Sequence, residues 1–183
     1  MTSWRRRDIV RTMLPLLLVL SVLELVSGTV LDRFQAAYLG RPTLLVVLPV
    51  VIAMGGNLGA LLSSRLSTGL HLGTTEFALT DRAVWSDVLG VVALALTVFA
   101  FLGVAATAVG RMAGGTMPLS VTLAVTMGSG MLLAAVVIAV SLVATYAAYR
   151  SGADPDDVVV PVVTNVCDAS GILILTWVVL ATV

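Results

Sequence analysis

Residues 158–182 read VVVPVVTNVCDASGILILTWVVLAT, and this stretch decides the fold because its single charge, Asp168, stands where a lipid-spanning segment tolerates charge least. The run is otherwise uncharged and about 25 residues long, against the roughly 20 helical residues that cross a hydrocarbon layer. Asp168 lies ten residues from its start, so at about 1.5 Å per residue it is some 15 Å deep, near the middle of a layer about 30 Å thick. An ionisable group there costs on the order of 2.5–3.5 kcal/mol, and it therefore faces protein, water or an ion rather than lipid. Thr164 and Asn165, four and three residues earlier, share its helical face and set oxygens beside the carboxylate.

The rest of the chain fits a membrane setting. Of 183 residues, 59% are apolar and 11% charged, and the mean hydropathy is +1.10, too little polar surface to cover a soluble globule. The expected fold is all-α, one polytopic transmembrane domain over residues 1–183. Its five spans fall at about 9–31, 43–62, 88–109, 119–146 and 158–182. A connector, residues 63–87, joins the second and third, and its part from Thr75-Glu76-Phe77 onward has the chemistry of a short surface helix. Arg5, Arg6 and Arg7 ahead of the first apolar run resemble the start of a signal peptide. That run is longer than a signal core and lacks a clear cleavage site, so a retained span is expected.

Arginine placement orients the spans. Arg5, Arg6, Arg7, Arg11, Arg65, Arg82 and Arg150 fall on one side, and Arg33, Arg41 and Arg111 on the other. The richer side is cytoplasmic by the positive-inside rule, giving N-terminus in and C-terminus out, in a multi-pass protein of the cell membrane. Net charge is zero and there is no lysine, so nothing points to a nucleic-acid partner.

Polar residues inside the spans separate scaffold from site. Glu24 lies toward the outer end of the first span, read either as a snorkelling interfacial group or as part of an outer ion vestibule. In the second span, Pro49, Gly55, Gly56 and Asn57 stand at mid-membrane. A broken helix there would free carbonyls at Gly55 and Gly56 to line a pore, with the Asn57 amide oxygen beside them. Gly55 and Gly59 equally form a GxxxG pair that lets helices pack closely. The third span reads as scaffold, with Thr97 and Thr107 bonding to their own helix. Gly128-Ser129-Gly130 in the fourth reads either as a bend lining a pore or, the commoner use of small residues, as a helix interface. Asp154 can cap the last helix, with Pro155 at its first position and Asp156 and Asp157 in its first turn; the three acids would also concentrate cations at a cytoplasmic mouth or gate.

Catalytic constellations are missing: the lone Cys167 and lone His71 make no ligand pair, and no phosphate-binding loop is present, so an enzyme is not expected. Cys167 reads as a small core residue. What remains is an oxygen-only set, Asp168, Asn57, Thr164 and Asn165, which suits Mg²⁺, Mn²⁺ or Ca²⁺. One deep carboxylate is too little for a divalent ion in hydrocarbon. A two-fold homodimer would bring two Asp168 and two Asn57 to a shared axis.

The run Leu48-Pro49 through Gly55-Gly56-Asn57-Leu58, followed by Ser64-Arg65-Leu66-Ser67-Thr68, resembles the first signature of the magnesium-transporting solute-carrier family of animals and its bacterial MgtE relatives. Asp154-Pro155, then Pro161-Val162-Val163-Thr164 and Asp168, is similar to their second. The resemblance implies a channel or carrier for Mg²⁺ and related divalent ions, with its pore between two five-span units. By the same resemblance Asp168 is the principal metal site, Asn57 lines the pore and Asp154 lies near the cytoplasmic gate. The bacterial relatives carry a large Mg²⁺-sensing cytosolic region and the animal ones two five-span repeats. This chain departs from both, which implies a homodimer or a separately encoded sister chain, and leaves Glu76, Asp81, Asp87 and the three acids at 154–157 as the only material for Mg²⁺ as a regulator. Mg²⁺ transport through a dimeric pore is therefore the leading expectation. The alternatives are a Na⁺- or H⁺-coupled Mg²⁺ exchanger and a non-transporting membrane scaffold or assembly subunit.

Overall fold

Long apolar runs with few breakers satisfy their backbone only as helices when water is excluded, and helices are what the computed structural model contains. It describes residues 6–74, 81–153 and 155–183. Six α-helices follow in order: α1 (Arg6–Arg33), α2 (Gln35–Leu39), α3 (Pro42–His71), α4 (Arg82–Met112), α5 (Leu119–Ser151) and α6 (Pro155–Thr182). Five are long and apolar enough to cross a membrane, over Met13–Arg33, Pro42–His71, Arg82–Met112, Leu119–Ser151 and Val158–Thr182.

The ends are set by local chemistry. Pro42 opens α3, where its missing N–H costs nothing. Asp81, in an extended conformation, accepts a hydrogen bond from the Ala83 amide at 2.8 Å and caps α4. Gly152, at φ 70°, ends α5 in the left-handed region that glycine enters without strain.

Three features depart from the sequence reading. The connector expected over 63–87 is much shorter, since α3 runs on to His71 and α4 starts at Arg82. No proline or glycine interrupts Ser63–Thr68, so the helix has no reason to stop there. The surface helix expected from Thr75 lies outside the described residues, as does Glu76. Helix α2, a single turn and a half between the first two spans, was not foreseen. Most important for function, α3 passes through Pro49 and Gly55-Gly56 as one helix of 30 residues. The broken segment expected there does not form.

Helices α3, α4, α5 and α6 pack on one another around a core of Leu44, Val47, Val51, Leu62, Phe99, Val125, Leu133, Val137 and Leu175, all fully buried. Small residues bring their axes close, as they must where lipid is as apolar as leucine. A methyl group at Gly130 of α5 would strike the Phe99 ring of α4, and one at Gly103 of α4 would come 2.6 Å from Leu123 and Thr126 of α5. Thr97 and Thr107 donate to the carbonyls of Ala93 and Gly103 in their own helix, as expected of scaffold residues. Helix α1 is different. It rests on α6 and touches α2, and it is the least buried of the five long helices. The corner between them is pinned by the Tyr38 hydroxyl, 2.7 Å from Thr176 Oγ1. Thr176 already donates to the Ile172 carbonyl, so Tyr38 is the donor.

Candidate metal centre

The site grows out of the crossing of α3 and α6, where glycine hydrogens replace side chains. A methyl group at Gly59 would come 2.5 Å from Val163 and 3.5 Å from the Cys167 sulfur, and one at Gly171 would come 3.6 Å from the Ile52 Cα. Gly55 turns to α5, where a methyl would sit 2.6 Å from Leu133. The GxxxG pair is thus a packing device, and Cys167, fully buried, is the core residue expected. Gly56 differs from its neighbours because it faces a carboxylate: a methyl there would lie 2.8 Å from Asp168 Oδ1. With α3 unbroken, Gly55 and Gly56 give space rather than free carbonyls, which corrects their expected part as pore backbone.

Asp168 is half-buried, and its Oδ1 is enclosed with no hydrogen-bond partner among the described residues. Three further enclosed oxygens lack partners, Glu24 Oε1, Ser63 Oγ and Thr145 Oγ1. Magnitudes separate them. An unpartnered hydroxyl costs about 1–3 kcal/mol, whereas an ionised carboxylate costs far more unless something positive meets it.

One further enclosed acid, Glu24, lies on α1. Among the described residues of α1, Met13, Leu16, Leu20, Glu24, Ser27, Val30 and Leu31 are the less exposed, and all but the adjacent last pair are spaced by three or four, so they form a stripe turned to the protein. Glu24 lies in the later half of α1 (Arg6–Arg33), in keeping with its expected place toward the far end of the first span. Its Oε1, like Asp168 Oδ1, is enclosed without a hydrogen-bond partner among the described residues. The three- and four-residue spacing of that stripe is legible in the sequence.

The other expected ligands are placed less uniformly. Thr164 donates to the Val160 carbonyl at 2.9 Å, and Asn165 Nδ2 to the Pro161 carbonyl at 2.9 Å. Both are half-buried one turn from Asp168, with the Asn165 amide oxygen not used in that bond. Asn57 is exposed, on a stripe of α3 with Leu45, Pro49, Ala53, Leu61, Ser64 and Thr68 that no helix of this chain covers. The structure thus brings Asp168 and Gly56 together and turns Asn57 outward. Asp154 lies outside the described residues, and Asp156 and Asp157 occupy the first turn of α6, their side chains outside the described set.

The acids near α4 are otherwise engaged. Asp81 caps α4, and Asp87 accepts from Arg65 Nε at 2.6 Å, which argues against both as metal sensors. Arg65, Ser64 and Thr68 line a polar recess of about 520 Å³ with Ser86 and Asp87 at the α3–α4 end. Among the described residues no three of His, Cys, Asp and Glu gather as a preformed cage. What is present is hard, oxygen-only and negative, the ligand chemistry of Mg²⁺, Mn²⁺ and Ca²⁺.

The MgtE family model, described as a divalent cation transporter, matches residues 48–178. The chain belongs to the MgtE family. It is accordingly a membrane protein of divalent cation transport, with five helices fit to span. The MgtE match runs from Leu48 of α3 to Val178 of α6 and so takes in Gly56, Asn57, Thr164, Asn165 and Asp168, whereas α1 and Glu24 lie outside it. Comparison with curated proteins gave no match.

Proposed function

We propose that this MgtE-family chain carries Mg²⁺ in preference to other divalent ions, that Asp168 is its principal ligand, and that two chains form the conducting unit. One observation carries the reading: the enclosed, unpartnered Asp168 Oδ1 at mid-span, with Gly56 keeping the space before it open. A carboxylate at that depth needs positive charge, and Mg²⁺, which keeps several of its waters, suits a site of one or two carboxylates flanked by neutral oxygens.

Asn57 supports pairing of chains. Its amide sits mid-helix on an uncovered face, where lipid is a poor neighbour, and a second copy against α3 would cover it and bring two such oxygens together. In this reading the N-terminus is cytoplasmic, the chain lies in the cell membrane, no reaction is catalysed, and Mg²⁺ moves down its electrochemical gradient.

Purified protein in liposomes loaded with a Mg²⁺-sensitive dye tests this. Asp168→Asn is expected to abolish influx in a protein that still elutes as a dimer. Unchanged flux, or a wild-type monomer that conducts, would overturn the reading; dependence on an imposed Na⁺ or pH gradient would replace passive flow by exchange.

A further inference from the structure

A hydroxyl inside a helical bundle ordinarily gives its hydrogen to the carbonyl one turn back in its own helix. Ser27, Thr107, Thr122, Ser129 and Thr176, all buried, are satisfied in that way. Ser63 of α3 and Thr145 of α5 are not. They are 1% and 0% exposed, and neither Ser63 Oγ nor Thr145 Oγ1 has a hydrogen-bond partner among the described residues.

Both belong to one seam. Helices α3 and α5 are the second and fourth of the five spans, so they cross in the same direction, and they pack on each other. Their register is fixed by Ser141 of α5, which donates across the seam to the Gly59 carbonyl of α3 at 3.4 Å. Ser63 and Thr145 follow these two residues by one helical turn, four positions on in each helix and on the same faces. The Gly59 carbonyl is also the group that Ser63 would reach in its own helix, and Ser141 already uses it. Two enclosed hydroxyls from facing helices therefore call for a partner able both to donate and to accept. Water is such a partner, and it is held wherever two to four polar groups converge on it. A cation is not: neutral hydroxyls bring no charge to offset it, and they are too few for a hard ion that takes six or more oxygens.

We propose that an ordered water molecule is bound in the α3–α5 seam, hydrogen-bonded to Ser63 Oγ and Thr145 Oγ1. It joins the two helices where lipid-excluded packing alone would leave both hydroxyls unsatisfied. The site lies two turns along α3 from Gly56, the glycine that faces Asp168, so it also steadies the helix that gives the acid its space. The inference stands apart from the identity of the transported ion.

The test is the thermal midpoint of the purified full chain in detergent, for Ser63→Ala, Thr145→Val and the pair, beside a structure of the wild type at a resolution that shows ordered water. Each single change strips the water of one partner and leaves the opposite hydroxyl in place, so each should lower the midpoint by roughly 2–4 °C. Removing both hydroxyls together should lower it by clearly less than the sum of the two, the mark of groups that act through a shared partner. A midpoint unchanged or raised by either single change would mean that the hydroxyls are enclosed dry, and strictly additive losses would mean that each is satisfied in its own helix. Either result would overturn the proposal. The wild-type density decides even if a variant folds poorly: one peak within hydrogen-bond distance of both oxygens is expected, and a seam without that peak removes the site.

Discussion

Gly56 of α3 stands directly against the carboxylate of Asp168 on α6, so close that one added methyl would lie 2.8 Å from Oδ1. That distance is below ordinary contact between carbon and oxygen, and the acid would have to swing aside. Gly56→Ala should therefore cut Mg²⁺ flux in liposomes by roughly tenfold or more, in keeping with the cost of misplacing a metal ligand. Helical content and elution should stay those of the wild type. Wild-type flux in Gly56→Ala would mean that the acid does not need the place it occupies.

A second expectation concerns the scaffold and separates two glycines of one motif. Gly130 is filled on its open side by the Phe99 ring, whereas a methyl at Gly128 would meet only Val178, at 3.4 Å. Overpacking a tight helix contact costs about 1–3 kcal/mol. Gly130→Ala should lower the thermal midpoint in detergent clearly, and Gly128→Ala little. Equal effects would show that the α4–α5 crossing yields more readily than its geometry indicates.

The third expectation ranks two polar contacts at the α3–α4 corner. Arg65 is 62% exposed, and an exposed ion pair such as that with Asp87 is worth about 0–1 kcal/mol. The Asp81 cap satisfies an amide that no carbonyl of its helix can reach, and losing such a cap costs about 0.5–2 kcal/mol. Chemical denaturation should therefore find Asp81→Ala the more damaging of the two, with Arg65→Ala near neutral. The reverse order would assign the corner's stability to the ion pair.

Much of this architecture is legible from residues alone. Five spans show as apolar runs, and the packing part of Gly55 and Gly59 follows from their spacing. What escapes is decided by neighbours. Pro49 and the glycine pair look like breakers, but a helix buried on several sides by α4, α5 and α6 keeps its ladder against local propensity. The emptiness at Gly56 has meaning only once α6 delivers a carboxylate to it.

The two acids belong to parts of unequal stiffness. Asp168 sits on a helix gripped by α3 and α5, while Glu24 rides on α1, which is held along one stripe and open to its surroundings elsewhere. Segments with few buried contacts are the ones that move at small free-energy cost. Rocking of α1 would carry Glu24 with it while Asp168 stays put. A charge carried on the loosely held helix can change its surroundings without unpacking the bundle.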